Sequence, residues 1–199
     1  MFTGMTRTLR LLTAALLCAS LLACKDSPAP AAANKAAAQP LSIQALAAEA
    51  KGFTVGSEMA VRRVFVFFDP RCSHCAALWQ AAKPLKAQTR FIWIPVGLLN
   101  AASTEQGATL LAAPDPAAAM DLHEASLLAK QGGITARTGL DAQKAQIAAN
   151  TALMNRYGLT SVPVVVGQHA VTGALVVKEG AMPTAMLAAT LGLTAPAGP

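Results

Sequence analysis

Two cysteines separated by two residues, Cys72 and Cys75, follow a run of large apolar side chains: Phe65-Val-Phe-Phe-Asp-Pro-Arg-Cys-Ser-His-Cys-Ala-Ala-Leu-Trp79. β-Branched and aromatic residues come first, Asp69-Pro70 reads as a turn, and a helical pattern begins at the cysteines. A strand running into a helix puts Cys72 at the helix N-terminus, where unpaired N–H groups and the macrodipole favour negative charge. A thiol there ionises more easily than a free one. Cys75 lies one turn further in, its sulfur within reach of a mixed disulfide on Cys72. The chemistry implied is thiol–disulfide exchange, with Cys72 attacking and Cys75 resolving. His74 would add to the dipole in holding Cys72 as an anion; an exposed spacer is the blander reading of the same residue. Ser73 reads as permissive, and Arg71 as either anion support or a solvated surface charge.

A metal site is the competing reading of a CxxC pair. Structural zinc wants four ligands, commonly two such pairs. This chain has four cysteines, but Cys18 and Cys24 fall in the N-terminal segment. That leaves two thiols and the scattered His74, His123 and His169, which is half a site. The expectation is therefore no metal and no cofactor, with metal binding or delivery by a lipoprotein kept as the different-class alternative.

The elements that must position the pair follow from the chain in order. Residues 1–23 begin with Arg7 and Arg10 and continue as an apolar run, Leu11 to Ala23, that is short for a membrane span and has the length of a signal-peptide core. The run ends in Leu21-Leu-Ala-Cys24, which resembles the lipobox of bacterial lipoproteins, so Cys24 is the expected lipidation site. Such a leader exports the chain to an oxidising compartment, the periplasm, where disulfides persist. Residues 24–40 are Ala- and Pro-rich and too poor in large apolar side chains to bury a core; they read as a tether. Residues 41–60 hold a short helix ending at Gly52 and a first strand at Phe53-Thr-Val55. A buried strand is expected over Val61–Phe68, a helix over about Cys72–Ala87 kinked at Pro84, and a second buried strand over Arg90–Val96. Strand, helix and strand make a βαβ unit with parallel strands.

Residues 98–139 read as an inserted helical subdomain, with helices starting near Ser103 and Asp115 and a break at Gly132-Gly133. A long helix over Leu140–Arg156 follows, with Ile147, Leu153 and Met154 facing a core. In Thr160-Ser-Val-Pro-Val-Val-Val166, Pro163 lacks the N–H of an ordinary central-strand residue and fits the strand's first position. Gly167–Ala170 is the expected turn into an antiparallel partner over Val171–Val177, and a last helix spans about Pro183–Leu191. Residues 195–199 read as a frayed tail. The formal net charge is +6, part of it from Arg7 and Arg10, with no basic cluster that argues for nucleic acid.

Residues 64–191 resemble the periplasmic thiol:disulfide interchange proteins of the DsbC/DsbG family, and within it the DsbG branch. Phe-Asp-Pro-Arg-Cys-Ser-His-Cys, Trp79-Gln80, Ala82-Lys-Pro84 and Pro95-Val-Gly97 carry the resemblance, with the helical insertion ahead of a Val-Pro strand. It implies an α/β thioredoxin-like fold over 61–194, with a central mixed sheet. It implies that Pro163 is a cis-proline facing the CxxC, and that Val162 and Ser161 beside it meet an extended substrate. It also implies reduction or isomerisation of disulfides, or of sulfenic acids, in exported proteins, and a membrane electron donor of DsbD type. Two departures matter. The family's N-terminal dimerisation domain has no counterpart in the short segment before the catalytic part, so a monomer is expected. His74 resembles the histidine of the oxidase DsbA, which keeps a disulfide oxidase as the alternative.

Overall fold

A computed structural model describes residues 38–196. The signal segment, Cys24 and most of the tether lie outside them. The elements are α1 (Ile43–Glu49), β1 (Phe53–Gly56), β2 (Arg63–Phe68), α2 (Ser73–Ala82), β3 (Arg90–Pro95), α3 (Ala101–Leu111), α4 (Pro116–Leu128), α5 (Asp141–Arg156), β4 (Val164–Gln168), β5 (Leu175–Glu179) and α6 (Thr184–Leu191). They form an α/β fold around one five-stranded mixed sheet of order β1-β3-β2-β4-β5. β2 and β3 are parallel, and the other neighbours are antiparallel.

β2 is central because every residue from Val64 to Phe68 is apolar and buried. A strand covered on both faces needs such a run, and the two faces divide it by period two. Val64, Val66 and Phe68 join Phe91, Trp93, Leu78, Trp79 and Leu187 in one core. Phe65 and Phe67 join Leu46, Ile94, Leu153, Met154 and Tyr157 in the other. Phe68, Trp79 and Trp93 pack edge to face, with the two indoles 4.9 Å apart. Such contacts add to burial, and Trp79 and Met154 are core residues as their spacing suggested.

Several boundaries differ from the sequence reading, each for a local reason; β5, for one, runs Leu175–Glu179 and not Val171–Val177, because the turn takes up Val171 and Thr172. β2 starts at Arg63, not Val61, which is fully solvated. α2 does not continue through a kink at Pro84; it stops at Ala82 and tightens into a 3₁₀ turn, Lys83–Leu85, that accommodates the proline. α3 starts earlier than Ser103, because Asn100 caps it and Ser103 returns a bond to the backbone of Asn100 as the other half of a capping box. Gly167 is a ladder residue paired with Val64 and Val176, not part of a turn. The reversal comes later, where His169 accepts from the N–H groups of Val171 and Thr172.

Candidate active site

β2 ends at Phe68 and the chain turns through Asp69-Pro70-Arg71. Asp69 is fully buried. Its carboxylate accepts from the N–H of Arg71 at 2.7 Å and from those of Leu98 and Leu99 at 2.8 and 2.9 Å. One side chain thus ties the end of β2 to the loop leaving β3. The backbone N–H of Cys72 donates to the Asp69 carbonyl, which delivers Cys72 to the N-cap of α2.

There the Cys72 sulfur accepts from the N–H of Cys75 at 3.3 Å. Both cysteines are thiols; Cys72 is 7 % exposed and Cys75 is sealed. The Cys72 thiol is lowered to about 6. The Cys75 side chain hydrogen-bonded to it contributes most, burial opposes, and the N–H groups of Cys75 and His74 and the charge of His74 contribute further. Burial pushes the Cys75 thiol far up, helped by its bond to Cys72, the Cys72 charge and, less, Glu124. The pair is therefore divided into a thiolate at the surface and a protonated thiol below it.

Opposite, the Val162–Pro163 bond is cis, and the Cys72 sulfur lies 3.7 Å from the Val162 carbonyl oxygen, to which only its protonated form can donate. A groove of about 520 Å³ runs past this point, lined by Arg71, Cys72, Ser73, His74, Leu98, Leu99, Thr160, Ser161 and Val162. Its walls come from the α2 start, the β3–α3 loop and the segment entering β4. Ser161 lines it, but its hydroxyl donates to Glu179 at 2.5 Å. His74 is exposed at its rim. His123 and His169 are not in the groove; His169 lies in the β4–β5 turn. Among the described residues no group of three or more His, Cys, Asp or Glu is placed to hold a metal ion.

Three residues around the site carried no legible role in the sequence. Asp69 read as a turn residue and is a buried anchor. His123 on α4 is buried, accepts from the Ile134 N–H at Nδ1, and so donates from Nε2 to the Pro70 carbonyl at 2.6 Å. Burial lowers its pKa, consistent with a neutral ring. Glu124, next to it, is fully buried with neither carboxyl oxygen hydrogen-bonded among the described residues. Burial, and then the Cys72 charge, push it up to about 9. The helical pattern gave no signal: α4 exposes Leu122 and Leu128 while burying His123 and Glu124.

Comparison with known proteins adds to this geometry. The chain is 34% identical over 145 residues to the thiol:disulfide interchange protein DsbG of Pseudomonas aeruginosa, covering 69% of this chain and 54% of that protein. It is 39% identical over 67 residues to DsbG of Escherichia coli, covering 32% and 26%. The chain thus spans about half the length of the first relative and about a quarter of the second in these matches. Among solved structures, Proteus mirabilis ScsC in a compact conformation superposes with a TM-score of 0.62 at 16% identity, over 80% of this chain and 82% of that one, a likeness of fold. The thioredoxin family model matches residues 48–180, and the chain belongs to the thioredoxin family.

Proposed function

We propose that this protein is a thiol–disulfide oxidoreductase of DsbG type that reduces or isomerises disulfides, and reduces sulfenic acids, in exported proteins. The observation that carries the reading is the division of labour at the α2 start: an acidic thiol at the groove and a sealed, protonated thiol one turn below. In the forward step the Cys72 thiolate attacks a substrate disulfide sulfur and one substrate cysteine leaves. Cys75 then attacks the Cys72 sulfur, the mixed disulfide breaks, and the second substrate cysteine leaves reduced. Two electrons have moved from the enzyme pair to the substrate. Isomerisation is the case in which a substrate thiol displaces Cys72 before Cys75 does. On a sulfenic acid, Cys72 attack expels hydroxide, which leaves as water once protonated.

In this reading Val162 and Ser161 flank an extended substrate segment laid along the groove beside Pro163, a mode of recognition by strand addition. The oxidised pair is returned to dithiol by a membrane electron donor of DsbD type. Lipidation at Cys24 holds the protein at a membrane facing the periplasm, and the protein acts as a monomer; the Leu-Leu-Ala-Cys motif and the intervening Pro/Ala segment support this placement.

The low thiol pKa supports a second reading, net oxidation, because a stabilised Cys72 thiolate makes the disulfide more oxidising. Alkylation of the pair in intact cells separates the two. A mostly reduced pair is the expected result; a mostly oxidised pair makes the protein an oxidase. For exchange as such, Cys75→Ala is expected to accumulate mixed disulfides with exported proteins on non-reducing gels, and an empty gel overturns it.

A further inference from the structure

The groove and the cysteines occupy one end of the sheet, and the other end is built differently. β2 begins at Arg63 and ends at Phe68, just before the Cys72 turn. β4 runs antiparallel to it, so the loop entering β2 and the turn leaving β4 lie together at the end away from Cys72. The Arg62 guanidinium joins them by donating to the Ala170 carbonyl at 3.3 Å. Large apolar side chains stand in solvent there. Met59 and Val61 in the β1–β2 loop are 91% and 92% exposed, and Val171 in the β4–β5 turn is 82% exposed. None of the three belongs to either core. Single exposed apolar residues are ordinary, but three on adjoining loops mark a surface built for contact.

The charge at this end is positive. Arg62 and Arg63 are exposed. With Val61, Gln168 and the α1 residues Ile43 and Gln44 they line a cleft of about 530 Å³. Arg90 opens β3 opposite Arg63 and donates to the carbonyls of Ala60 and Glu58. Among the described residues none of these arginines forms an ion pair, and the acid on the β1–β2 loop is Glu58, itself exposed. Apolar tips flanked by free guanidinium groups suit a surface that is anionic outside and hydrocarbon beneath, which is the chemistry of a phospholipid bilayer.

We propose that this end of the molecule rests on a bilayer containing anionic phospholipid. Met59, Val61 and Val171 enter the headgroup layer, and Arg62 and Arg63 hold lipid phosphate at the cleft. The proposal rests on the anchor reading above. The tether, residues 25–37, spans at most about 45 Å when extended, so a chain lipidated at Cys24 keeps this surface within reach of the membrane. The contact is too small to hold the protein without the anchor; the anchor raises the local lipid concentration, and the contact chooses which face turns down. Because β2 runs from this end toward Cys72, docking here turns the groove away from the bilayer, to the side from which exported proteins approach.

The test uses the anchored protein, purified from membranes and reconstituted in vesicles of phosphatidylglycerol and phosphatidylethanolamine. The photocrosslinker p-benzoylphenylalanine replaces Val61 or, as the control, Leu99 in the groove. Phospholipid adducts, read by mass spectrometry, are expected at position 61 and not at position 99. Arg62→Ala combined with Arg63→Ala should lower the yield at position 61 by about fivefold or more, the weight of one or two charges at an anionic surface. Its reaction with 5,5′-dithiobis(2-nitrobenzoate) in solution should be unchanged. Equal yields at the two positions overturn the proposal, since the protein then hangs from its anchor with no preferred face. Adducts between copies of the chain in place of lipid also overturn it and mark this end as a protein interface. Should the double variant not fold, vesicles of uncharged phosphatidylcholine decide the matter with the arginines intact; an undiminished yield at position 61 overturns the proposal. The intact mass tests the anchor separately. A chain without an acyl group at Cys24 overturns the anchor reading, and the contact is then tested by adding that chain to the same vesicles at millimolar lipid, where adducts at position 61 support it and their absence overturns it.

Discussion

Cys72 and Cys75 are two copies of one side chain driven in opposite directions by a few ångströms of depth. At the helix mouth Cys72 collects the Cys75 side chain, two backbone N–H groups and the charge of His74, in that order of importance. Its reactivity should therefore follow a thiolate that is lost as pH falls through about 6. Measured by iodoacetamide labelling against pH, the midpoint is expected near that value in wild type. It should rise most in Cys75→Ala and only slightly in His74→Ala, because the histidine charge is the smallest contributor. Glu124 has the opposite sign. Its folded pKa of about 9 lies above that of an unfolded glutamate, so the protonated form favours the fold below the unfolded value. That stability is lost as pH rises toward about 9. The slope is at most about 1.4 kcal/mol per pH unit. Urea unfolding from pH 4.5 upward should show wild type losing stability relative to Glu124→Gln; parallel curves would mean that Glu124 is not buried as a neutral acid.

Among the elements, the turn between β2 and α2 carries the precision of the site, and Asp69 holds that turn. Its three accepted bonds bind residues far apart in sequence, and bonds to a buried charge are among the stronger ones. Asp69→Ala strands three N–H groups and is expected to cost about 3 kcal/mol or more in urea unfolding, with Asp69→Asn recovering a part; a change under about 1 kcal/mol would contradict this role. The sequence marked Asp69-Pro70 as a turn and placed Cys72 at a helix start because both signals are local: a proline, a β-branched run, an apolar period. Two of the three partners of Asp69, Leu98 and Leu99, are not local. The same limit explains α4. Its Ala-rich composition has no apolar stripe, so nothing along the chain distinguishes the buried Glu124 from the exposed Asp121 one turn earlier. Gly167 misled for a related reason. A glycine beside a polar pair reads as a turn, but here it is a ladder residue between Val64 and Val176, a pairing that no local signal encodes.

For the molecule as a whole, the sheet brings three segments distant in the chain to one end: the α2 start, the β3–α3 loop and the entry to β4. At this scale the proposed tether and anchor make the prediction. Cys24→Ser should move the protein from the membrane to the soluble periplasmic fraction without changing its exchange rate in solution; continued membrane association would point to another means of attachment. The sequence alone determined the α/β order of elements, the parallel β2–α2–β3 unit, the CxxC at a helix mouth and the proline that opens β4. These depend on periodicity, capping and backbone restriction, which act over a few residues. Only the tertiary structure decided what surrounds the sulfurs. Depth separates the thiols, Asp69 and His123 lock the turn, and Glu124 is shut in without a partner. Burial and through-space charge depend on which surfaces the fold presses together, and adjacency along the chain does not encode that.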